Sequence, residues 1–564
     1  MRSRLDWIWL LWVAAVVVLL ALVVVPLFWL ILASFSDENS GALTVANYAT
    51  AFSRRIYLEP VVNSFKLATA VAVIAVLVGT PLAWLVARTD LPGRQLLRPL
   101  ILAAFVTPSF LGANAWIFLA APNSGLLNRL WTNIFHTEHG PLNIYTFEGC
   151  IFVIALYSIP YTFTLVSGSL ELMASELEDA ATTLGSGVFR TTWQITLPLA
   201  LPAIIGGFLL SFLEALELFG PPAFILIPAR QNVMTTQLYL FFAQYPPRVE
   251  VAAAYAMPLL LVTVLLLYIQ RRLLGRRRFV TVTGKGGVRR PMKLGQWRWP
   301  FAVAAFVPPA LSVLLPYAAL FLVSTSRAWG RGPFAPGNFT FYWYHWSLFE
   351  NLDTRRAIEH SLEYGAAAAT IAVVVATVIA YIVVRRIGRF GEVLGFVAMA
   401  PFVVPGIVLA IGFIAAYTHP PILLYGTGAI LIAAYATRFL PIAYSNGSSI
   451  LRGINVDLEN AARTLGAGRL HSLRAITLPL LRQGLLSGWL LVFIPSLREL
   501  SASVFLFTPR TQVITTVIFD FSDAGNYEAV STMGILMMVV TFAVVILAYR
   551  FLGRDVTRAR TATA

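Results

Sequence analysis

Long apolar runs separated by short polar stretches fill most of the 564-residue chain. A helix needs about 20 apolar residues to cross the ~30 Å hydrocarbon core of a bilayer. Twelve runs meet that length, near 8–34, 61–87, 97–120, 150–170, 199–225, 251–270, 300–324, 361–384, 393–417, 422–447, 484–508 and 529–549. None alternates apolar and polar positions over the ~10 residues of a barrel strand. The pattern therefore predicts an all-α polytopic membrane protein. The first run follows the basic start Met1-Arg2-Ser3-Arg4. It exceeds the ~7–15-residue apolar core of a signal peptide and lacks a small-residue cleavage pattern, so it reads as a retained first span.

Six spans precede the segment 271–298 and six follow it; the segment holds ten Lys/Arg and no acid. The expected organisation is a first half over 1–270 with its core at about 60–270, a basic cytoplasmic linker over 271–298, and a second half over 299–564 with its core at about 358–552. The halves are copies. "WLVARTDLPGR" (84–94) stands opposite "YIVVRRIGRFG" (381–391), "FVTPSFLG" (105–112) opposite "FVVPGIVL" (402–409), and "VMTTQLY" (233–239) opposite "VITTVIF" (513–519). The offset falls from 297 early to 280 or 281 later because the first half has a longer outer loop, about 122–149. An even number of spans per half gives both copies one orientation, a parallel repeat about a pseudo-twofold axis normal to the membrane.

The strongest repeat is polar. "LEDAATTLGSGVFRTTWQITLP" (177–198) and "LENAARTLGAGRLHSLRAITLP" (458–479) share twelve of 22 residues. Leu177, Ala180, Ala181 and Leu184 make one apolar stripe at i, i+3, i+4 and i+7, and Leu458, Ala461, Ala462 and Leu465 repeat it. Gly185 and Gly466 are placed to end the helix in a left-handed cap. A second short helical piece follows, which "ITLP" should close, because the residue before proline favours an extended backbone. The small alanines permit close approach, so the pattern predicts a docking element on the cytoplasmic side.

This phrase resembles the EAA loop of permease subunits in binding-protein-dependent ABC importers: E-A-A, three residues, G, nine residues, I-x-L-P. Here it reads Asp179-Ala180-Ala181, Gly185, Ile195-Thr196-Leu197-Pro198, and again Asn460-Ala461-Ala462, Gly466, Ile476-Thr477-Leu478-Pro479. Asp179 and Asn460 replace the glutamate, with Glu178 and Glu459 one position earlier, which leaves open which side chain makes the polar contact. The resemblance implies a type I importer permease fold in the bacterial inner membrane. It also implies two ATPase subunits docked on the two loops, a substrate-binding protein on the outer side, and rigid-body alternating access. This chain would bind no cofactor; ATP and Mg would sit on the ATPases. "TGKGG" (283–287) lacks the spacing of a phosphate-binding loop. The chain is expected to be a transport subunit rather than an enzyme.

Composition and charge agree. Hydrophobic residues make up 58% and charged residues 12%, with a mean hydropathy of +0.76. The net charge of +15 collects in the cytoplasmic segments, which places both termini inside and argues against a nucleic-acid partner. The single cysteine, Cys150, excludes an internal disulfide and a cysteine-based metal cluster.

Substrate is less legible. "RELSASVFLFTP" (498–509) and "LELFGPPAFIL" (216–226) look most like ferric-iron permeases, while related branches move thiamine, polyamines, phosphonates and phosphorylated sugars. Charges in or beside spans are Lys66, Glu214, Glu217, Glu363, Arg438, Arg482, Arg498 and Glu499. Each costs about 2.5–3.5 kcal/mol at membrane depth if Arg, Lys or Asp, so it should face a path or a partner. Glu214, Glu217 and Glu499 are candidate path carboxylates suited to a hard trivalent cation; Glu217 and Glu499 look equivalent across the repeat. The competing reading pairs Glu499 with Arg438 or Arg498, which keeps those arginines as gating or path charges. The outer loop offers His136, Glu138, His139, Tyr145 and Glu148 without tight metal spacing, and reads as a solvated or receptor-docking loop. A gradient-driven secondary transporter would not need paired EAA loops, and no span carries a catalytic cluster.

Overall fold

A computed structural model describes residues 8–38, 40–173, 176–275, 291–388 and 390–561. Of the basic linker it covers 271–275 and 291–298; "TGKGG" lies outside the described residues.

Among the described residues, ten helices are long and apolar enough to span. In chain order they are span 1 (Trp9–Ser34), span 2 (Arg55–Arg88), span 4 (Phe147–Leu172), span 5 (Val188–Glu217), span 6 (Val249–Gln270), span 7 (Gly295–Ser324), span 8 (Leu352–Val384), span 10 (Gly428–Gly453), span 11 (Leu473–Leu497) and span 12 (Tyr527–Leu547). Spans 3 and 9, expected to be single helices, are bent pairs. Arg94–Val106 meets Ser109–Ala120 at 100°, and Gly391–Val403 meets Gly406–Tyr417 at 112°. The breaks fall at Pro108 and Pro405, whose predecessors Thr107 and Val404 are extended, because the proline ring excludes the helical conformation before it.

Each bent pair is one crossing. Arg88 ends span 2 and touches Glu178, just beyond the end of span 4, so spans 2 and 4 finish on the same side. The chain between them must return to the other side, and Ala120 indeed lies beside the start of span 4, where Ile144 N–H donates to its carbonyl (3.1 Å). Arg385 reaches the Ile454 carbonyl in the same way at the ends of spans 8 and 10. The described residues thus form an all-helical chain of twelve crossings, with only isolated β-bridges.

The compact units do not follow the sequence halves. One comprises Ser53–Gln237 and Leu261–Trp343, the other Met1–Phe52, Leu238–Leu260 and Tyr344–Ala564. In the first, spans 2 and 4 form the main pair and span 5 packs on both; in the second, spans 8, 10 and 11 repeat this. Each unit takes its opening span from the other half. Span 1 lies on spans 8, 9 and 10: Tyr417 Oη donates to the Ala21 carbonyl, and Thr437 Oγ1 to that of Leu22 (3.1 Å). Gly412 is required there, since a Cβ would stand 2.7 Å from the Pro26 carbonyl oxygen. Span 7 lies on span 3 and the start of span 4, with Tyr157 Oη donating to the Ser312 carbonyl (3.0 Å).

Four spans carry a single π turn just before a proline: Leu20–Val24 before Pro26, Thr192–Thr196 before Pro198, Ala310–Leu314 before Pro316, and Leu473–Thr477 before Pro479. The wider turn makes room for a residue that cannot donate and whose ring crowds the preceding carbonyl. This corrects the expectation for "ITLP". Leu197 is helical (φ −64°, ψ −45°), and Leu478 likewise (φ −60°, ψ −46°), so the helix runs through the motif into the membrane.

Candidate coupling site

Each EAA-like phrase opens with a short helix, Glu176–Thr183 in one unit and Val456–Thr464 in the other. Both end as their glycines require. Gly185 has φ +81° and Gly466 φ +88°, and Ser186 and Ala467 N–H donate back to the carbonyls of Ala181 and Ala462 (2.9 and 3.1 Å).

Within the protein, the earlier acid of each phrase is the one that finds a partner. Glu178 and Glu459 point inward, each 6% exposed, whereas Asp179 and Asn460 face outward. Arg88 Nη2 lies 3.2 Å from Glu178 Oε2, and Thr196 Oγ1 donates to Glu178 Oε1 (2.7 Å). In the other unit Arg385 Nη2 and Nε stand 2.9 and 3.0 Å from Glu459 Oε1. Tyr381 Oη donates to Glu459 Oε2 (3.1 Å) and Thr477 Oγ1 to Oε1 (2.8 Å). Each loop helix is therefore keyed to the C-terminal end of a long span and to its own "ITLP". Burying a carboxylate is costly unless it is paired and hydrogen-bonded, and both conditions hold here. Arg88, Arg385, Thr196, Thr477 and Tyr381 were missed in the sequence. The signal was present: an arginine falls at the same place in the aligned segments 84–94 and 381–391, and the threonines belong to the repeated motif.

The opposite face is open. Asp179 and Ala180, like Asn460 and Ala461, are exposed, and Ala181 and Ala462 are half-buried. Leu184 is 88% exposed and Leu465 91%, two large apolar side chains presented at the helix tips beside their glycines.

Charges at membrane depth are largely engaged. Arg438 Nε pairs with Glu499 Oε2 (3.1 Å), and Ala502 N–H donates to Glu499 Oε1 (2.8 Å), so Glu499 ties span 10 to the turn after span 11. This is the ion-pairing alternative for that residue. Glu214 accepts from Ser158 Oγ (2.9 Å), and Glu217 and Arg498 are half-buried. The equivalence of Glu217 with Glu499 does not hold. Thr235 Oγ1 donates to the Leu218 carbonyl (2.9 Å) and its counterpart Thr515 Oγ1 to that of Glu499 (2.8 Å). By that measure Glu499 corresponds to Leu218, and Glu217 to Arg498. Lys66 and Glu363 do occupy equivalent, exposed places: Ser64 and Ser361, two residues before them, accept from Met234 and Ile514 N–H (2.7 and 2.8 Å). Among the described residues no group of three or more His, Cys, Asp or Glu could hold a metal ion, and the outer-loop histidines do not converge into one.

The family described as binding-protein-dependent transport system inner membrane component matches this chain twice, over residues 75–279 and 372–558. The chain belongs to this family. Each match contains one loop helix with its buried glutamate, arginine and threonine. The permease is 27% identical over 446 residues to a ferric transport system permease protein of Actinobacillus pleuropneumoniae, covering 78% of this chain and 63% of the relative. A Haemophilus influenzae protein named as a ferric transport system permease is 28% identical over 415 residues, covering 72% and 64%. A second Haemophilus influenzae protein, named as an Fe(3+)-transport system permease, is 22% identical over 486 residues, covering 84% and 86%. The permease thus spans just under two thirds of the length of the first two relatives. It is a multi-pass membrane protein and a transport subunit by family, built from two fused permease halves.

Proposed function

We propose that this permease is the translocating subunit of an ATP-driven importer for ferric iron, with a separate ATPase seated on each loop helix. The observation that carries the reading is the two-faced loop helix, present twice. One face is locked by a buried glutamate to the end of span 2 or span 8; the other offers alanines and an exposed leucine. A push on the open face passes through the Glu–Arg contact into a helix of more than 30 residues, span 2 in one unit and span 8 in the other. ATP and Mg belong to the ATPases, both termini and the linker to the cytoplasmic side, and a substrate-loaded binding protein to the outer loops. The ferric assignment rests on the names of the relatives and on the presence of hard carboxylate donors at Glu214 and Glu217.

Leu184→Asp and Leu465→Asp place a charge on an apolar contact without touching the buried cluster. Each variant should lower co-purification of the ATPase by about tenfold or more, a loss of ~1.4 kcal/mol or greater. Unchanged ATPase recovery from both would defeat the docking assignment. Proteoliposomes holding the complex should accumulate radiolabelled ferric iron when given ATP and iron-loaded binding protein. Uptake of a phosphonate or thiamine in its place would reassign the substrate and leave the machine intact.

A further inference from the structure

The two units hold their buried glutamates in unequal ways. Tyr381, which donates to Glu459, is matched in the repeat by Trp84, whose indole N–H is buried with no acceptor among the described residues. Arg385 meets Glu459 through two nitrogens and also donates from Nη2 to the Ile454 carbonyl (3.2 Å), one residue beyond span 10. Glu178 has Arg88 through Nη2 and Thr196.

The first unit has something the second lacks among the described residues. Within the downstream end of the linker, Met292 forms a parallel bridge with Thr89. Met292 N–H donates to the Arg88 carbonyl (2.9 Å), Asp90 N–H to the Met292 carbonyl (3.1 Å), and Leu294 N–H to Asp90 Oδ1 (2.9 Å). Leu294 and Thr89 are buried, and Arg94 Nη1 donates to the Thr89 carbonyl (2.9 Å). The matching turn after Arg385 closes on itself instead: Arg386 and Ile387 N–H donate to the carbonyls of Val383 and Ile382 (3.2 and 2.8 Å), with Arg386 at φ +50°.

We propose that the Met292–Leu294 segment positions Arg88, and through Arg88 the first loop helix, so that the downstream end of the linker is a working part of one coupling site and not of the other. The physical reason is placement. The segment fixes the backbone of Arg88 itself, and Arg88 supplies a buried positive charge opposite Glu178. The inference rests on the coupling role proposed above, but its first measurement does not depend on an ATPase.

The test uses the full chain with Asp90→Ala, which removes the acceptor for Leu294 N–H, Met292→Pro, which removes the donor to the Arg88 carbonyl, and Asp90→Asn, which keeps an acceptor oxygen. Hydrogen–deuterium exchange should accelerate roughly fivefold, the weight of one hydrogen bond, over 176–191 in Asp90→Ala and Met292→Pro, and stay unchanged over 456–472. Asp90→Asn should behave as the unsubstituted chain. In the assembled complex the same two variants should lose a similar factor in ATP hydrolysis stimulated by loaded binding protein. Asp90→Ala should add nothing to Glu178→Gln but add fully to Glu459→Gln. Unchanged exchange over 176–191, or equal acceleration of both loops, overturns the proposal. Faster exchange with undiminished stimulation overturns the coupling part of it. An unsubstituted complex without any stimulation would instead count against the importer reading, while the exchange result still decides the positioning.

Discussion

Arg88→Ala is expected to destabilise the first loop helix by about 3–5 kcal/mol, because it leaves the buried Glu178 side chain without its arginine partner, while Thr196 still donates to it. Arg385→Ala should cost less, nearer the ~1–3 kcal/mol of an under-satisfied buried group, since Tyr381 and Thr477 still donate to Glu459. The difference is readable as a larger fall in membrane abundance, and in thermal midpoint in detergent, for Arg88→Ala. The double variant Arg88→Ala with Glu178→Ala should recover part of the loss, because no stranded charge remains. Equal losses at the two arginines, or no recovery in the double variant, would refute the unequal anchoring. Transport should fall with stability in the single variants, since the loop helix then has no fixed lever to push.

Gly406→Ala carries the second large effect. Gly406 begins the second arm of span 9, and a Cβ built there would lie 1.6 Å from Arg438 Nη1. Under 3.0 Å something must move. The guanidinium is the group that can, and moving it separates Arg438 from Glu499, leaving a carboxylate that is 7% exposed without its counter-charge. We expect at least a tenfold loss of uptake, equivalent to about 1.4 kcal/mol or more, with Arg438→Met giving a comparable loss through the same stranded Glu499. Retention of full uptake and thermal midpoint by Gly406→Ala would show that the Arg438–Glu499 pair can be dispensed with. The matching position in the first half is Ser109, which already carries a Cβ, so Ser109→Ala should have no such effect.

Much of this was legible in one dimension. Span number, the duplication and the two coupling phrases rest on composition windows and fixed spacings, which chain connectivity preserves whatever the packing. Gly185 and Gly466 could be read as caps because a left-handed residue after an apolar stripe is a local requirement. The bends at Pro108 and Pro405 were equally local, and were overlooked because hydropathy runs straight through them. The continuous helix through "ITLP" was hidden for a different reason. A π turn can absorb the proline's missing donor, and no residue in the motif announces that turn.

What the sequence by itself determined is a twelve-span duplicated permease with two matching loop helices, because apolar length, repeat spacing and helix caps are properties of short segments. Only the tertiary structure decided that Glu178 and Glu459 face inward while Asp179 and Asn460 face outward. Neighbouring residues differ by about 100° around a helix, and only the arginine at the end of a distant span says which direction is buried. Packing also decided that each unit takes its first span from the other half, and that Glu499 is spent on Arg438. Contacts of that kind join residues hundreds of positions apart, where no local pattern records the choice.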